Sequence, residues 1–259
     1  MPAIVVLVKQ VPDTWSERTL NPDFTLHREG VDEVIDEINE FAVEQALRIR
    51  ESDPNYQVVA LAAGPERAQE ALRKALAMGA DQGILLSDPA LAGSDVLGTA
   101  WALHNAINLV EDVALIITGA ASSDGSMGAI PAVLSEYRQI PALTHLSQLA
   151  INGNQVTGVR VVAEGSYELQ ATLPAIASVG EKADKPRFPN FKGIMAAKKA
   201  EIRQLSLADI GVAAEQVGLN HAATAVTAAQ PRPEREGGEL VYADGAQAIV
   251  DFLVTEKFI

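Results

Sequence analysis

Ala3 to Val8 (AIVVLV) is an unbroken apolar run rich in β-branched residues. Side chains alternate across a strand, so a run with no polar interruption predicts a strand covered on both faces, as in a parallel sheet. Val58 to Ala63, Gly83 to Leu86 and Ala114 to Thr118 repeat the pattern and are read as three more such strands. Between them the period lengthens. Ile35 to Ile49 (IDEINEFAVEQALRI) places Ile38, Phe41, Ala42, Gln45, Leu47 and Ile49 at mostly helical spacing, which predicts a crossover helix. Gly64-Pro65 opens a second helix with proline in its first turn, and Gly79 after ALRKALAM stops it. Ser94 or Asp95 caps a third amphipathic stretch. Strand and helix alternate, so the fold class is α/β, a doubly wound, mainly parallel, Rossmann-like sheet.

After about Pro141 the texture changes. HLSQLAINGNQVTGVRVV sets two β-rich runs around NGN, a hairpin signal, and SYELQATLPAIASV adds one or two strands, which predicts antiparallel strands at one edge. Gly180 to Lys192 is rich in proline and charge and reads as loop, and GIMAAKKAEI reads as a short helix with its basic residues late. Residues 1–200 then form the α/β domain, and 201–237 a linker whose stretch GLNHAATAVTAAQPRPEREGG has the composition of a tether. Residues 238–259 form a C-terminal arm, a helix whose Ile249, Phe252, Leu253 and Phe258 need a surface to cover them.

Composition narrows the function classes. With 48% hydrophobic residues in 259, the chain builds a sizeable core and is expected to be a soluble globular protein. Its formal charge of -14 repels phosphate backbones and anionic membranes, so no nucleic-acid partner and no membrane insertion are expected. Cysteine is absent, which excludes thiolate chemistry and disulfides. MPAIVVLVKQVPD has no basic flank or cleavage pattern of a signal peptide, and a cytoplasmic location is expected.

In an open parallel sheet, ligands sit beyond the strand ends where the winding reverses, here between the first and fourth strands. The facing loops are VKQVPD (Val8 to Asp13) and GAASSDGSMG (Gly119 to Gly128). Gly125 and Gly128 permit close backbone approach, and Ser126 is expected where a helix begins, with N–H groups turned to a phosphate. The loop has no lysine of its own, which points to binding without phosphoryl transfer. Against this stands the plainer reading, a connection in which Asp124 is a capping residue. Asn39, between Ile38 and Phe41, is either a satisfied buried amide or a ligand contact. His27, His104, His145 and His221 have no metal-ligand spacing, and no catalytic residue and no metal site are assigned.

VLVKQVPD, INEFAVEQALRI, VVALAAGPERAQEALRKALAMGADQGILL, GAASSDGSMGAIPAVLSEY and KPRFPNFKGIMAAKK together resemble the β subunits of electron transfer flavoproteins, in order and spacing from about residue 3 to 200. The resemblance implies an electron carrier rather than an enzyme, in a heterodimer with an α subunit. The fold would then be an adenine-nucleotide-binding one, with AMP bound structurally on Leu7, Val8, Asn39, Glu40, Phe41, Ala42, Ala63, Gly119, Ser122, Ser123, Asp124, Gly125, Ser126, Met127 and Gly128. Side chains in the loop Ser122 to Met127 differ from those of animal relatives, so backbone contacts alone carry over. FAD would be held mainly by the α subunit, with this chain closing one side of the isoalloxazine through Thr14 and Tyr167 or Glu168.

The stretch 187–199 resembles the family's recognition loop, with Phe191 at the anchor position and Ile194 and Met195 beside it. It implies docking of acyl-CoA dehydrogenases and other flavin dehydrogenases in fatty acid β-oxidation, and electron delivery to a membrane electron transfer flavoprotein quinone oxidoreductase. The plainer alternative is a loop pinned by proline that packs Phe188 and Phe191 inward. Two further alternatives are a bifurcating relative with a second FAD and NADH at the β site, whose DGDTAQ-like run this loop lacks, and a universal-stress-like nucleotide-binding homodimer, which has no use for the terminal arm.

Overall fold

A computed structural model describes residues 1–233, 237–238 and 240–259, so residues 234–236 of the expected linker and residue 239 of the expected arm lie outside the described residues. The backbone divides into two units, residues 1–225 and 226–259. In chain order the first contains β1 (Ala3–Leu7), β2 (Gln10–Pro12), β3 (Glu33–Ile35), α1 (Glu37–Ser52), β4 (Gln57–Ala63), α2 (Gln69–Met78), β5 (Gln82–Leu86), α3 (Val96–Ile107), β6 (Val113–Gly119), α4 (Ile130–Arg138), β7 (Ala142–Asn152), β8 (Gln155–Val162), β9 (Gly165–Thr172), β10 (Ala175–Val179), α5 (Phe191–Lys199) and β11 (Ile202–Leu205).

Nine of these strands make one sheet in the order β11-β5-β4-β1-β6-β10-β7-β8-β9. It is parallel from β11 to β7 and antiparallel across β8 and β9. β1 is central, with Val5 opposite Val59 of β4 and Ile116 of β6. Its alternate side chains feed two separate layers, which is why its sequence shows no polar break. Ile4 and Val6 meet Ala42, Val43, Ala46 and Leu47 of α1, whereas Ala3, Val5 and Leu7 pack in the layer of Ala100, Leu103 and Ile107 of α3. The winding reverses between β1 and β6, as the apolar runs predict. Asp95 caps α3 by accepting the Gly98 N–H at 2.9 Å, Gly79 ends α2 at φ +130°, and Gly153 turns the β7–β8 hairpin at φ +59°.

Three expectations are corrected. The linker does not begin at residue 201: β11 pairs in parallel with β5, and Leu205, Leu207, Ile210, Val212 and Val217 are buried in the α3 layer. Those side chains follow neither a twofold nor a 3.6-residue period, so patterning missed them. The stretch 180–192 is not loop to its end, because Asn190 accepts the Gly193 N–H at 2.8 Å and starts α5 at Phe191. Ile35 belongs to β3, which pairs antiparallel with β2, and α1 begins only after it. In the second unit, α6 (Gly245–Thr255) has no buried residue, and Ile249, Phe252 and Phe258 are exposed. No described helix is long and apolar enough to cross a membrane.

Candidate functional site

At the reversal, the segment after β1 faces the loop after β6, with the start of α1 between them. Asn39 accepts the Lys9 N–H at 2.7 Å, which makes it a satisfied buried amide. It also backs onto Gly119, where a Cβ would lie 2.6 Å from Ile38 Cγ2 and 2.9 Å from Asn39 Nδ2, so β6 must end in glycine for α1 to approach. Asp36, buried just before α1, accepts the Ser123 N–H at 2.8 Å. Burial pushes the Asp36 carboxyl above its ordinary value, the Ser123 N–H opposes this, and the neighbouring Asp124 charge adds to it.

The lysine absent from the β6 loop comes from the opposite one. Lys9 donates from Nζ to Asp124 at 2.8 Å, Arg28 also bonds Asp124, and Arg18 reaches the Ser123 carbonyl. Arg28 and Arg67 share Glu33, each at 2.9 Å. Asp124 is thus more than a capping residue. Burial works against its charge, but the Lys9 ammonium, with hydrogen bonds from Lys9, Ser122 and Arg28, outweighs it and holds the carboxyl at about 2.

A carboxyl depressed in the folded state stabilises the fold above its unfolded value of 3.8, and the contribution disappears as pH falls toward 2. A shift of this size corresponds to about 2 kcal/mol. Urea unfolding at pH 5 and at pH 2 is therefore expected to show a larger acid loss for wild type than for Asp124→Asn, by about 2 kcal/mol. Identical pH dependence would show that the clamp adds nothing.

The helix expected at Ser126 begins later. Ser126 has φ +51° and donates its N–H to the Ser122 carbonyl at 2.8 Å, the Gly125 N–H points at Ser122 Oγ at 3.3 Å, and α4 starts only at Ile130. The amides of Ser123, Gly125 and Ser126 are thus engaged within the protein. Ser123 Oγ, by contrast, is buried and has no hydrogen-bond partner among the described residues.

A cleft of about 1020 Å³ opens beside this loop. Its walls include Asp13, Thr14, Trp15, Asp36, Ile38, Glu40, Ser122, Ser123, Ser126, His145, Leu146 and Lys182. That volume suits a ligand of cofactor size. Of the residues singled out by sequence, Thr14, Glu40, Ser122, Ser123 and Ser126 line it. Leu7, Val8 and Ala42 are buried in the core, and Phe41 packs against it. Ala63 ends β4 opposite Leu86. Tyr167 and Glu168 stand on the outermost strand, opposite Arg160 and Val159, and do not line the cleft. His145, unassigned by sequence, lines it from a β-bulge with φ +58°, its N–H donating to Ser178 Oγ at 2.9 Å. No group of His, Asp and Glu that could hold a metal occurs among the described residues.

α5 packs against α2 and buries Ala197, whereas Phe188, just before it, is 94% exposed and its own Phe191 79%, with Ile194 and Met195 also exposed. The inward-packing alternative is therefore not what the structure has. Gly193 lies against α2 so closely that a Cβ would sit 2.4 Å from the Ala77 carbonyl oxygen.

Residues 23–210 match the family described as Electron transfer flavoprotein domain. The chain belongs to the electron transfer flavoprotein family. It is 52% identical, over the whole of both chains, to electron transfer flavoprotein subunit beta of Mycobacterium tuberculosis. It is 35% identical to the protein of the same name from Megasphaera elsdenii, over 99% of this chain and 97% of that one. A subunit of the caffeyl-CoA reductase–Etf complex of Acetobacterium woodii is 31% identical over 98% and 97%. Electron transfer flavoprotein relatives named as β subunits thus match this chain from end to end.

Proposed function

We propose that this chain is the β subunit of a heterodimeric electron transfer flavoprotein. It binds AMP as a structural nucleotide, encloses one side of an FAD held mainly by the α subunit, and works in the cytoplasm. One observation carries the reading of binding without turnover. Of the two loops that face each other at the reversal, Val8 to Asp13 and Gly119 to Gly128, the one lysine is Lys9, and it is paired with Asp124 at 2.8 Å, whereas a phosphoryl-transfer site directs its lysine at the transferring phosphates. Ser122, Ser123 and Ser126 line the cleft and are the hydroxyl groups offered to a nucleotide, and Thr14 and Trp15 form the wall offered to a flavin. FAD, when bound, supplies the electron-carrying chemistry.

This chain's own residues do the rest. Lys9, Arg18 and Arg28 hold the β6 loop in place, Asp36 fixes its entry, and Phe191, Ile194 and Met195 present an apolar surface to acyl-CoA and other flavin dehydrogenases. Electrons collected there pass to a membrane quinone oxidoreductase. Denaturing the heterodimer and analysing the released nucleotides by mass spectrometry is expected to give one AMP and one FAD per αβ pair. Two FAD and no AMP would replace the reading by a bifurcating one, and a nucleotide-loaded homodimer with no α subunit by a universal-stress-like one.

A further inference from the structure

We infer that Arg187 is a positioning residue for docking, fastening the lead-in of α5 to α1 so that Phe191 is presented in one fixed direction. The inference rests on the docking function proposed above. Arg187 precedes Phe191 by four residues, and its guanidinium is divided between two carboxylates on α1. Nε donates to Glu44 Oε2 at 2.7 Å and Nη2 to Glu44 Oε1 at 3.0 Å; Nη2 also reaches Glu51 Oε2 at 3.1 Å, and Nη1 bonds Glu51 Oε1. The Arg187 backbone N–H adds a bond to Glu44 Oε2 at 3.1 Å. Glu44 and Glu51 lie two helical turns apart and so share one face of α1.

Glu44 is 3% exposed, and a carboxylate is buried to that extent only when paired. Burial alone would raise its carboxyl, and the Arg187 bonds bring it below its ordinary value. A planar guanidinium with donors on two edges can satisfy both carboxylates at once, whereas a lysine ammonium is a point charge without the fork. The far end of the segment is fixed as well. Arg73 on α2 donates to the carbonyls of Ala197 at 2.6 Å and Ala200 at 3.2 Å, and Gly193 rests on Ala77. The segment is thus held at both ends and in its middle by groups that leave Phe188 and Phe191 uncovered. An apolar anchor fixed in this way loses less conformational freedom when a partner binds it.

The test uses the purified αβ heterodimer as electron acceptor for a flavin-dependent acyl-CoA dehydrogenase, with KM for the heterodimer and kcat measured separately. Arg187→Ala is expected to raise KM about tenfold with kcat within about twofold, and Arg187→Lys to recover part of the loss. Glu51→Gln, at a more exposed position, keeps the test available if Arg187→Ala folds poorly, and is expected to raise KM about threefold. In a Phe191→Ala background, Arg187→Ala is expected to change KM by less than about twofold, because the group it positions is gone. Additive effects in that cycle, or lower stability with KM unchanged, would overturn the inference and leave docking through Phe191 standing. Unchanged KM in Phe191→Ala itself would overturn the docking function and this inference with it.

Discussion

Removing residues 238–259 is expected to weaken association with the α subunit at least a hundredfold. α6 has no buried residue, and Ile249, Phe252 and Phe258 are all more than half exposed. If a partner surface desolvates only two such side chains, at roughly 1.5–3 kcal/mol each, the loss is about 3–6 kcal/mol. At 1.4 kcal/mol per decade this is about 10²- to 10⁴-fold in Kd. The first unit, residues 1–225, contains the whole sheet and its core, so the shortened chain is expected to melt where the full chain does. Titration of both chains with purified α subunit decides the matter, and equal affinities would show that the arm has no role in assembly.

Phe191→Ala is expected to reduce dehydrogenase docking by about ten- to a hundredfold, from roughly 1.5–3 kcal/mol of lost burial on the partner. The FAD spectrum, AMP content and melting temperature should stay near wild type, because the side chain is 79% exposed. A buried phenylalanine cut to alanine would instead cost about 3–5 kcal/mol of stability. One melting curve and one stopped-flow titration separate the two outcomes. A large fall in melting temperature with docking intact would mean that Phe191 supports the fold and does not anchor a partner.

Much of the fold was legible because both faces of the central strands are covered. That forces unbroken apolar runs at β1, β4, β5 and β6, and the lengthening period between them marks the crossover helices. The NGN turn gave the β7–β8 hairpin for an equally local reason. β2 and β3 escaped notice because each is three residues long and they pair across an excursion of the chain from Asp13 to Asp32. β11 escaped because four residues show no period and the composition that follows is that of a tether.

The position of the site was legible and its wiring was not. The loops at the reversal follow from strand order. Lys9 and Asp124 meet across 115 residues, and Arg28 and Asp124 across 96, separations at which one sequence gives no pairing signal. The exposure of Phe188 and Phe191 was also undecided by pattern. In the structure Gly193 lets α5 settle closely on α2, and both aromatic residues are exposed.

The contact between Lys9 and Asp124 also constrains how the gene can drift. Asp124 is 3% exposed at its side chain, so a neutral residue at position 9 would strip a buried carboxylate of a partner, and a neutral residue at 124 would bring Lys9 and Arg28 together with nothing between them. Each single change is costly, while a paired change that leaves no charge stranded is far less so. The two codons are bound into one heritable unit, and descendants that lose one member should have lost or replaced the other.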